Sequence, residues 1–342
     1  MAKWLRIVVC CCLGLGSGCR QAPVVEPAFY HWKTVVHPTA DEQTYLEALG
    51  VRRLYVKFFD VDWDAALAMP TPRAQVVIPE PIAQEIVPCI FITNETFRQL
   101  SDADLSVLTD RIAEKIDALW QQIPEQTLRE VQFDCDWTTS TRERFFRFLT
   151  LFQNKKPDLQ LSATIRLHQV RDATATGVPP VHRGMLMLYN TGDLEDWHED
   201  NSILNLTTAR YYLQPLPRYP LPLDVALPVF GWGVLFRDGR MIRLINNLQA
   251  ADLTDTTRFD KIADNRFEVQ KSTYLNGYYL YENDQVRIEN SQPEQLAQAI
   301  ELVRPVLRKP RRMRLAFYHL DTTTIKQFPY ETLEALGAHF KR

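Results

Sequence analysis

Short apolar runs alternate with amphipathic stretches along most of the chain. Eight of these runs have the length and the β-branched and aromatic content of buried strands. The predicted strands are Ala28 to Thr34, Leu54 to Asp62, Val87 to Asn94, Glu130 to Trp137, Leu159 to His168, Met185 to Asn190, Leu223 to Phe230 and Met313 to Leu320. Between them apolar residues recur at spacings of three and four, as Phe145, Phe148, Leu149 and Phe152 do, which is typical of a helix with one buried face. Strands that alternate with helices predict an α/β fold with a parallel sheet.

The number of repeats favours a closed sheet. Eight strand and helix units in 342 residues fit a (β/α)8 TIM barrel better than an open sheet. The first unit, AFYHWKT followed by TYLEALG, is echoed near the C-terminus by AFYHLDT followed by TLEALG. Because the first and last strands of a closed barrel are neighbours, this echo agrees with closure. We therefore predict a single barrel over residues 28–342.

The seventh unit is longer than the others. About sixty residues separate Phe230 from Ser291, and they contain an Asp-Gly pair in FRDGR and an Asn-Gly pair in TYLNGYYLY. Both pairs are typical of tight β-hairpin turns. We predict a β-hairpin insertion after strand 7, over about residues 231–290, with one or two hairpins. At that place in a barrel it would wall a cleft on the C-terminal face.

The N-terminus has the pattern of an export signal. Lys3 and Arg6 precede the apolar stretch IVVCCCLGLGS, which is too short to span a bilayer and ends next to Cys19. Such a run resembles the lipobox of bacterial lipoproteins, in which the cysteine becomes the lipid-modified N-terminus. The resemblance implies a signal peptide over residues 1–19, a tether over residues 20–27 and a membrane-anchored protein of the cell envelope or periplasm. An ordinary cleaved signal is the alternative.

Composition excludes several classes of protein. The formal net charge of −3 becomes about −5 once the leader is removed, so no nucleic-acid partner is predicted. The one basic cluster, RKPRRMR from Arg308 to Arg314, is interpreted as a solvated loop before the last strand. Only Cys89 and Cys135 lie outside the leader, and both are predicted to be buried free thiols.

Polar residues at strand ends are the candidates for chemistry, because the active sites of such barrels form at the carboxyl ends of the strands. The stretch VQFDCDWTTS places Asp134 and Asp136 two residues apart, on one face of the fourth strand. Asp60 on the second strand and Glu95 after the third are further candidate acids. Crowded carboxyl groups of this kind suit glycoside hydrolysis, which needs one protonated acid and a second carboxylate.

Residues on other strands are predicted to position the substrate. Alternation on the fifth strand puts Ser162, Thr164, Arg166 and His168 on one face, which predicts a polar barrel interior. The predicted substrate-binding residues are Arg166, His168, Tyr189, Asn190, Trp232 and His31. Tryptophans near strand ends would stack on sugar rings, and Trp32, Trp63 and Trp137 are further candidates.

Two short stretches carry a family resemblance. FDCDWT resembles the fourth strand of chitinase-like glycosidases, whose D-x-D-x-E motif lies on a (β/α)8 barrel, and LMLYN resembles the sixth-strand Met-x-Tyr-Asp element of that family. The chain as a whole is similar to bacterial lipoproteins that carry a glycosidase-like barrel. The resemblance implies a glycan ligand and a location at the cell envelope.

The chain departs from this pattern at two positions. Thr138 occupies the place of the family's catalytic glutamate, and Asn190 that of the acidic neighbour of the tyrosine. A threonine hydroxyl cannot serve as a general acid near neutral pH, so hydrolysis requires a relocated acid. Two hypotheses follow: hydrolysis centred on Asp134 and Asp136, or a barrel that has lost its acid and binds glycan or serves as a scaffold.

Other chemistries lack their signatures. The sequence contains no zinc-protease, P-loop, dinucleotide-binding or serine-hydrolase motif. Neither a cofactor nor a metal is predicted. A structural alternative for the aspartates, including Asp62 and Asp64, is a buried polar network with Lys57, Arg166 and His168 that shapes the barrel.

Overall fold

The computed structural model describes residues 24–308 and 312–341. The predicted signal peptide, Cys19 and the first residues of the predicted tether lie outside these ranges. The described chain forms sixteen strands and ten α-helices. The strands are β1 (Val24–His31), β2 (Arg53–Asp64), β3 (Met69–Arg73), β4 (Glu85–Ile92), β5 (Glu130–Asp134), β6 (Gln160–Arg166), β7 (Arg183–Met187), β8 (Leu223–Pro228), β9 (Gly231–Arg237), β10 (Arg240–Asn246), β11 (Phe259–Ala263), β12 (Arg266–Val269), β13 (Thr273–Leu275), β14 (Tyr278–Leu280), β15 (Gln285–Asn290) and β16 (Arg312–Tyr318). The helices are α1 (Ala40–Ala48), α2 (Asn94–Gln99), α3 (Asp104–Trp120), α4 (Arg142–Lys155), α5 (Leu167–Arg171), α6 (Ala173–Thr176), α7 (Leu206–Leu213), α8 (Pro293–Val303), α9 (Thr322–Gln327) and α10 (Tyr330–Lys341).

Eight parallel strands close into a barrel, as predicted. Their order is β1, β2, β4, β5, β6, β7, β8 and β16, and β1 pairs with both β16 and β2. Val24 lies opposite Arg312, so β1 begins four residues before the predicted strand and includes the last residues of the predicted tether. The predicted (β/α)8 fold is confirmed.

The outer layer of the core lies between the barrel and its helices. Phe145, Phe148, Leu149 and Phe152 of α4 are fully buried, as their spacing predicts. Phe133 of β5 packs edge-on against Phe148, with ring centroids 5.0 Å apart. Burying side chains of this size contributes roughly 1.5–3 kcal/mol each, so this layer supplies much of the driving force for folding.

Local signals define the first helix. Thr39 and Glu42 form a reciprocal capping box at the start of α1, in which each side chain accepts from the backbone N–H of the other residue. Gly50 follows the helix at φ +69°, a conformation that glycine adopts without steric cost.

The interior of the barrel is polar at its N-terminal end. Arg314 of β16 lies 2.7 Å from Glu130 of β5 and donates to the Tyr55 hydroxyl at 2.8 Å. Because β5 and β16 are not neighbours, these contacts cross the interior of the barrel. Ser162 of β6 donates to Glu130 at 2.7 Å, in agreement with the predicted polar interior. These side chains therefore fill the interior of the barrel at its N-terminal end.

The insertion after strand 7 forms its own sheet. Strands β10, β9, β15, β12 and β11 make a five-stranded antiparallel sheet, and β13 pairs with β14 beside it. The predicted Asp238-Gly239 and Asn276-Gly277 turns are present, with positive φ at all four residues. The insertion contains three hairpins, one more than the upper number predicted, because the pair β11 and β12 carries no Asn-Gly or Asp-Gly signal.

Both cysteines of the described chain are buried free thiols, as predicted. Cys89 is inside the barrel, and Cys135 follows β5 in the outer layer.

Candidate functional site

A cleft of about 550 Å³ opens at the carboxyl ends of the barrel strands. Its walls come from most of the barrel strands and from the insertion, and its lining mixes aromatic, amide and charged side chains. The lining residues are Trp32, Lys33, Phe91, Asp134, Asp136, Arg166, Met187, Tyr189, Asn190, Phe230, Gly231, Trp232, Asn246, Asn247, Tyr318, His319 and Asp321. We call this cavity the barrel-mouth cleft.

Arg166 joins the two aspartates of the D-x-D stretch. Its Nε donates to Oδ1 of Asp136 at 2.5 Å, and its Nη2 lies 3.8 Å from Oδ1 of Asp134. Asp134 is buried at the end of β5 and also accepts from the Thr164 hydroxyl at 2.5 Å. Asp136, two residues later, is half exposed. Their arrangement is a carboxylate pair bridged by a cation.

Burial is the largest influence on the pKa of the inner aspartate. Loss of solvent raises the pKa of Asp134, and the Arg166 guanidinium lowers it again without cancelling the effect. Burial alone would lower the pKa of Arg166, but the two aspartates beside it raise that pKa overall. Arg166 is therefore a fixed positive charge in the floor of the cleft.

The other two candidate acids lie elsewhere. Asp60 does not line the barrel-mouth cleft and forms an ion pair with Lys57, Nζ to Oδ2, at 3.0 Å. Glu95 is the second residue of α2, is partly exposed, and pairs with Arg98 one turn later. Asp60 lies on β2 beyond a register shift between Lys57 and Phe59, and Glu95 lies on α2 after the end of β4. Thr138 is also outside the cleft lining, and its hydroxyl lies 2.9 Å from that of Ser140 in the loop after β5.

The predicted substrate-binding residues divide into two groups. Tyr189, Asn190 and Trp232 line the cleft together with Arg166. His168 was predicted on the inner face of the fifth strand, but β6 ends at Arg166, so His168 lies on α5 and is exposed there. The expectation that it lines the site is wrong.

His31 was also expected at the site and lies behind it. Alternation along β1 places Tyr30 and Trp32 toward the interior, so His31 points into the outer layer with Phe29. Burial, assisted by Lys33, lowers the pKa of His31 to about 4. It is a neutral core histidine.

Two of the candidate sugar platforms serve other purposes. Trp137 is fully buried, stacks on Phe145 and donates its indole N–H to the Thr176 carbonyl at 2.8 Å. Trp63 lines a separate apolar groove between β2 and α3. Asp62 and Asp64 belong to the same β2–β3 hairpin, beyond the barrel mouth, where Arg73 lies 3.2 Å from Asp64.

Several cleft residues were not among the predicted site residues. Asn246 and Asn247 come from the end of β10, in the insertion, and Asp321 caps α9 after the last barrel strand. His319 contributes an Nδ1 that is buried and has no hydrogen-bond partner among the described residues. In the sequence, only the predicted position of the insertion on the C-terminal face indicated that these two asparagines would reach the cleft.

A buried ion pair supports the wall that carries Trp232. Arg287 and Glu289 of β15 are both inaccessible to solvent and lie 2.6 Å apart, Nε to Oε1. The other carboxylate oxygen of Glu289 accepts from the Trp232 indole at 2.8 Å and from the Ser202 hydroxyl at 2.5 Å. The orientation of Trp232 in the cleft therefore depends on a charge pair in the insertion.

Two further observations concern the described residues only. No helix within them is both long enough and apolar enough to cross a membrane. No group of three or more histidine, cysteine, aspartate or glutamate side chains is gathered there in a way that would hold a metal ion.

Comparison of the sequence with protein-family models and with curated proteins finds no match. Comparison of the fold finds solved structures that cover nearly the whole chain. The spore cortex-lytic enzyme SleL of Bacillus megaterium QM B1551 is 13% identical, with a TM-score of 0.55 over 92% of this chain and 75% of that one. The spore cortex-lytic enzyme SleL of Bacillus cereus is 15% identical, with a TM-score of 0.51 over 93% and 75%.

A GH18 chitinase, ChiB of Flavobacterium johnsoniae, is 12% identical, with a TM-score of 0.49 over 93% of this chain and 94% of that one. At these identities, the likeness to the two SleL structures establishes the fold and leaves the site to be argued from its own residues. In fold, the chain is a (β/α)8 barrel similar to those of the two SleL enzymes.

Proposed function

We propose that this protein binds a glycan in the barrel-mouth cleft and does not cleave it. The observation that carries the proposal is the bridging of Asp134 and Asp136 by Arg166. A glycosidase needs one carboxyl group that holds a proton for the leaving oxygen and a second that faces it across the scissile bond. Arg166 donates to Asp136 and lies 3.8 Å from Asp134, so a guanidinium, and not a glycosidic bond, occupies the space between the two carboxyl groups.

The remaining carboxyl groups do not replace the missing acid. Asp60 and Glu95 pair with Lys57 and Arg98 outside the cleft. Asp321 lines the cleft, but its Oδ1 accepts from the Thr324 backbone N–H at 2.7 Å as the cap of α9. Each of the four candidate acids, and Asp321 as well, is thus engaged by a cation or a helix end.

The rest of the cleft suits recognition of a sugar chain. Trp32, Phe230, Trp232 and Tyr318 present apolar ring surface, and neighbouring rings contact one another with centroids 5.1–5.9 Å apart. Ring faces of this kind stack against the C–H faces of sugar rings. Amide and charged groups interspersed among them supply donors and acceptors for hydroxyl groups, a mixture that is common in ligand clefts.

Hydrolysis by Asp134 and Asp136, the first hypothesis from the sequence, is the second candidate. The raised pKa of Asp134 favours it, because a buried carboxyl group keeps its proton to a higher pH than an exposed one. Against it, Asp134 is 5% exposed and its Oδ1 is occupied by Thr164.

We further propose that the protein acts at the cell envelope, anchored through a lipid on Cys19. The support is the leader pattern that ends in cysteine. Growth in the presence of a radiolabelled fatty acid would label the wild-type chain and leave Cys19→Ser unlabelled.

The two candidates differ in product release. We expect the chain from Gln21 to Arg342 to bind an oligosaccharide from a panel that includes chitin oligomers and isolated spore cortex fragments, and to release no product. Chitin and spore cortex are chosen because the structurally similar proteins are named for them. Product release that disappears in an Asp134→Asn, Asp136→Asn variant of unchanged Tm would establish the second candidate instead.

A single aromatic substitution tests the location of binding. Trp32→Ala removes a half-buried ring from the cleft wall, and we expect the Kd for the bound oligosaccharide to rise about thirtyfold, the effect of losing roughly 2 kcal/mol at an aromatic anchor. Isothermal titration calorimetry measures it. The matched control is Trp63→Ala, which removes a half-buried tryptophan from the separate groove and should leave Kd unchanged. Equal losses in the two variants would contradict binding in the cleft.

A further inference from the structure

A second cavity, of about 590 Å³, lies at the N-terminal end of the barrel, opposite the cleft. Five arginines and two glutamates contribute to its lining. We define the basic face as the arginines Arg52, Arg53, Arg129, Arg312 and Arg314. This concentration of positive charge stands on a chain whose formal net charge is −3.

Three of these arginines have partners within the protein. The ion pairs are Arg53 with Glu85 at 2.8 Å, Arg312 with Glu26 at 3.3 Å and Arg314 with Glu130 at 2.7 Å. The other two, Arg52 and Arg129, are exposed and form no ion pair with any described residue. The basic face therefore carries two positive charges that no described acidic side chain neutralises.

The sequence adds basic groups at the same end of the barrel. The cluster RKPRRMR leads directly into β16, and Arg312, within it, is opposite Val24 in the β1–β16 register. Within this cluster Arg314 is held by Glu130 in the barrel interior and Arg312 pairs with Glu26, whereas Arg308 is exposed. Arg312 therefore lies beside Val24, the first described residue of β1.

The predicted lipid anchor would approach the same end. Cys19 precedes Val24 by five residues, and five residues span at most about 18 Å when fully extended. A chain anchored at Cys19 would thus hold its N-terminal end next to the membrane and turn the cleft away from it. A lipid chain together with a basic patch holds a protein on a membrane more firmly than either does alone.

We propose that the basic face docks against an anionic phospholipid surface. Phosphate-bearing head groups would neutralise Arg52 and Arg129, and the exposed Arg308 before β16 would add to the attraction. This docking is independent of what the cleft binds. In this orientation the N-terminal face of the barrel lies against the membrane and the cleft opens away from it.

Vesicle flotation tests the proposal without the lipid anchor. The chain from Gln21 to Arg342 keeps every described helix and strand. We expect it to float with vesicles that contain phosphatidylglycerol and not with pure phosphatidylcholine vesicles, and to dissociate at high salt. The variant Arg52→Gln, Arg129→Gln should partition roughly thirtyfold less, given about tenfold per 1.4 kcal/mol and about 1 kcal/mol per basic residue.

The matched control removes two arginines from other surfaces. Arg210 on α7 and Arg240 at the β9–β10 turn are exposed and, within the described ranges, unpaired. The variant Arg210→Gln, Arg240→Gln has the same net charge as the test variant and should bind like the wild type. Equal losses in both variants, or equal binding to both kinds of vesicle, would overturn the proposal. Displacement by inorganic phosphate, at matched ionic strength, would assign the face to a small anion instead of a membrane.

Discussion

Glu289→Ala is expected to destabilise the protein by about 4 kcal/mol, because it leaves the guanidinium of Arg287 buried without its carboxylate. Both side chains are inaccessible to solvent, and their atoms lie 2.6 Å apart. Carbonyl oxygens of Leu194 and Asp196 still accept from Arg287, but they carry no net charge. Urea unfolding followed by circular dichroism measures the loss.

The same substitution should weaken glycan binding in the fraction that stays folded. Trp232 loses the acceptor of its indole N–H, and the ring is no longer held in the cleft wall. The control is Glu143→Ala, which also removes a glutamate paired with arginine, but at a site where the glutamate is 78% exposed. Surface pairs contribute about 0–1 kcal/mol, so a loss of equal size in the two variants would contradict the assigned role of burial.

A double substitution distinguishes the loss of the whole ion pair from the loss of one of its two charges. Arg287→Met with Glu289→Leu removes both charges and keeps most of the volume. Replacement of a buried ion pair by apolar residues is often close to neutral. The double variant should therefore be more stable than Glu289→Ala, even though it contains one more substitution.

Arg166→Met is the second large effect, with an expected destabilisation of about 3 kcal/mol near neutral pH. The substitution leaves Asp134 buried without a cation, while Asp136 keeps its contact with solvent. Because Arg166 lowers the pKa of Asp134, the variant should raise that pKa further.

The destabilisation should depend on pH in a defined direction. A carboxyl group whose pKa is higher in the folded than in the unfolded state binds its proton more tightly in the folded state. The free energy of unfolding therefore falls as the pH rises toward the folded-state pKa. Between about pH 4 and pH 8, the penalty of Arg166→Met should accordingly be smallest at the acid end and largest at the basic end, because Asp134 loses its proton as the pH rises. Unfolding free energies of wild type and variant across this range give the difference directly.

Arg98→Met is the matched control, since Arg98 pairs with Glu95 on an exposed helix. Its effect should stay within about 1 kcal/mol and change little with pH. A penalty for Arg166→Met that grows as the pH falls would show that the buried aspartate does not set the stability of the site.

The same substitution also tests whether the cleft can hydrolyse a bound glycan. Arg166→Met also frees Asp136 from its partner. If the bridge is what prevents hydrolysis, this variant is the one in which product release from a bound oligosaccharide should first be sought.

The sequence alone determined the architecture and part of the site. Strand composition and the three-and-four spacing of apolar residues depend on local periodicity, so eight strands and the buried stripe of α4 followed directly from the chain. Tight turns are equally local, and the Asp-Gly and Asn-Gly hairpins formed where they were predicted. The position of Asp134 and Asp136 at a strand end placed them at the barrel mouth for the same reason.

The tertiary structure decided everything that depends on where a strand ends and which face points inward. The fifth strand stops at Arg166, so alternation no longer applies to His168, which begins a helix on the surface. On β1 both faces are buried, and the pattern could not say that Trp32 faces the cleft while His31 faces the outer layer. Burial on both sides of a parallel sheet removes the contrast that would mark the inner face.

Contacts between distant segments were likewise beyond the sequence. The ion pair of Arg166 with Asp136 depends on the register of neighbouring strands, and Asn246 reaches the cleft from an insertion about a hundred residues away along the chain from Asp136. Local propensity carries no information about such pairs, because their energy exists only when the barrel has closed. Residue types therefore suggested a glycosidase, and only the closed barrel showed that a cation lies between its aspartates.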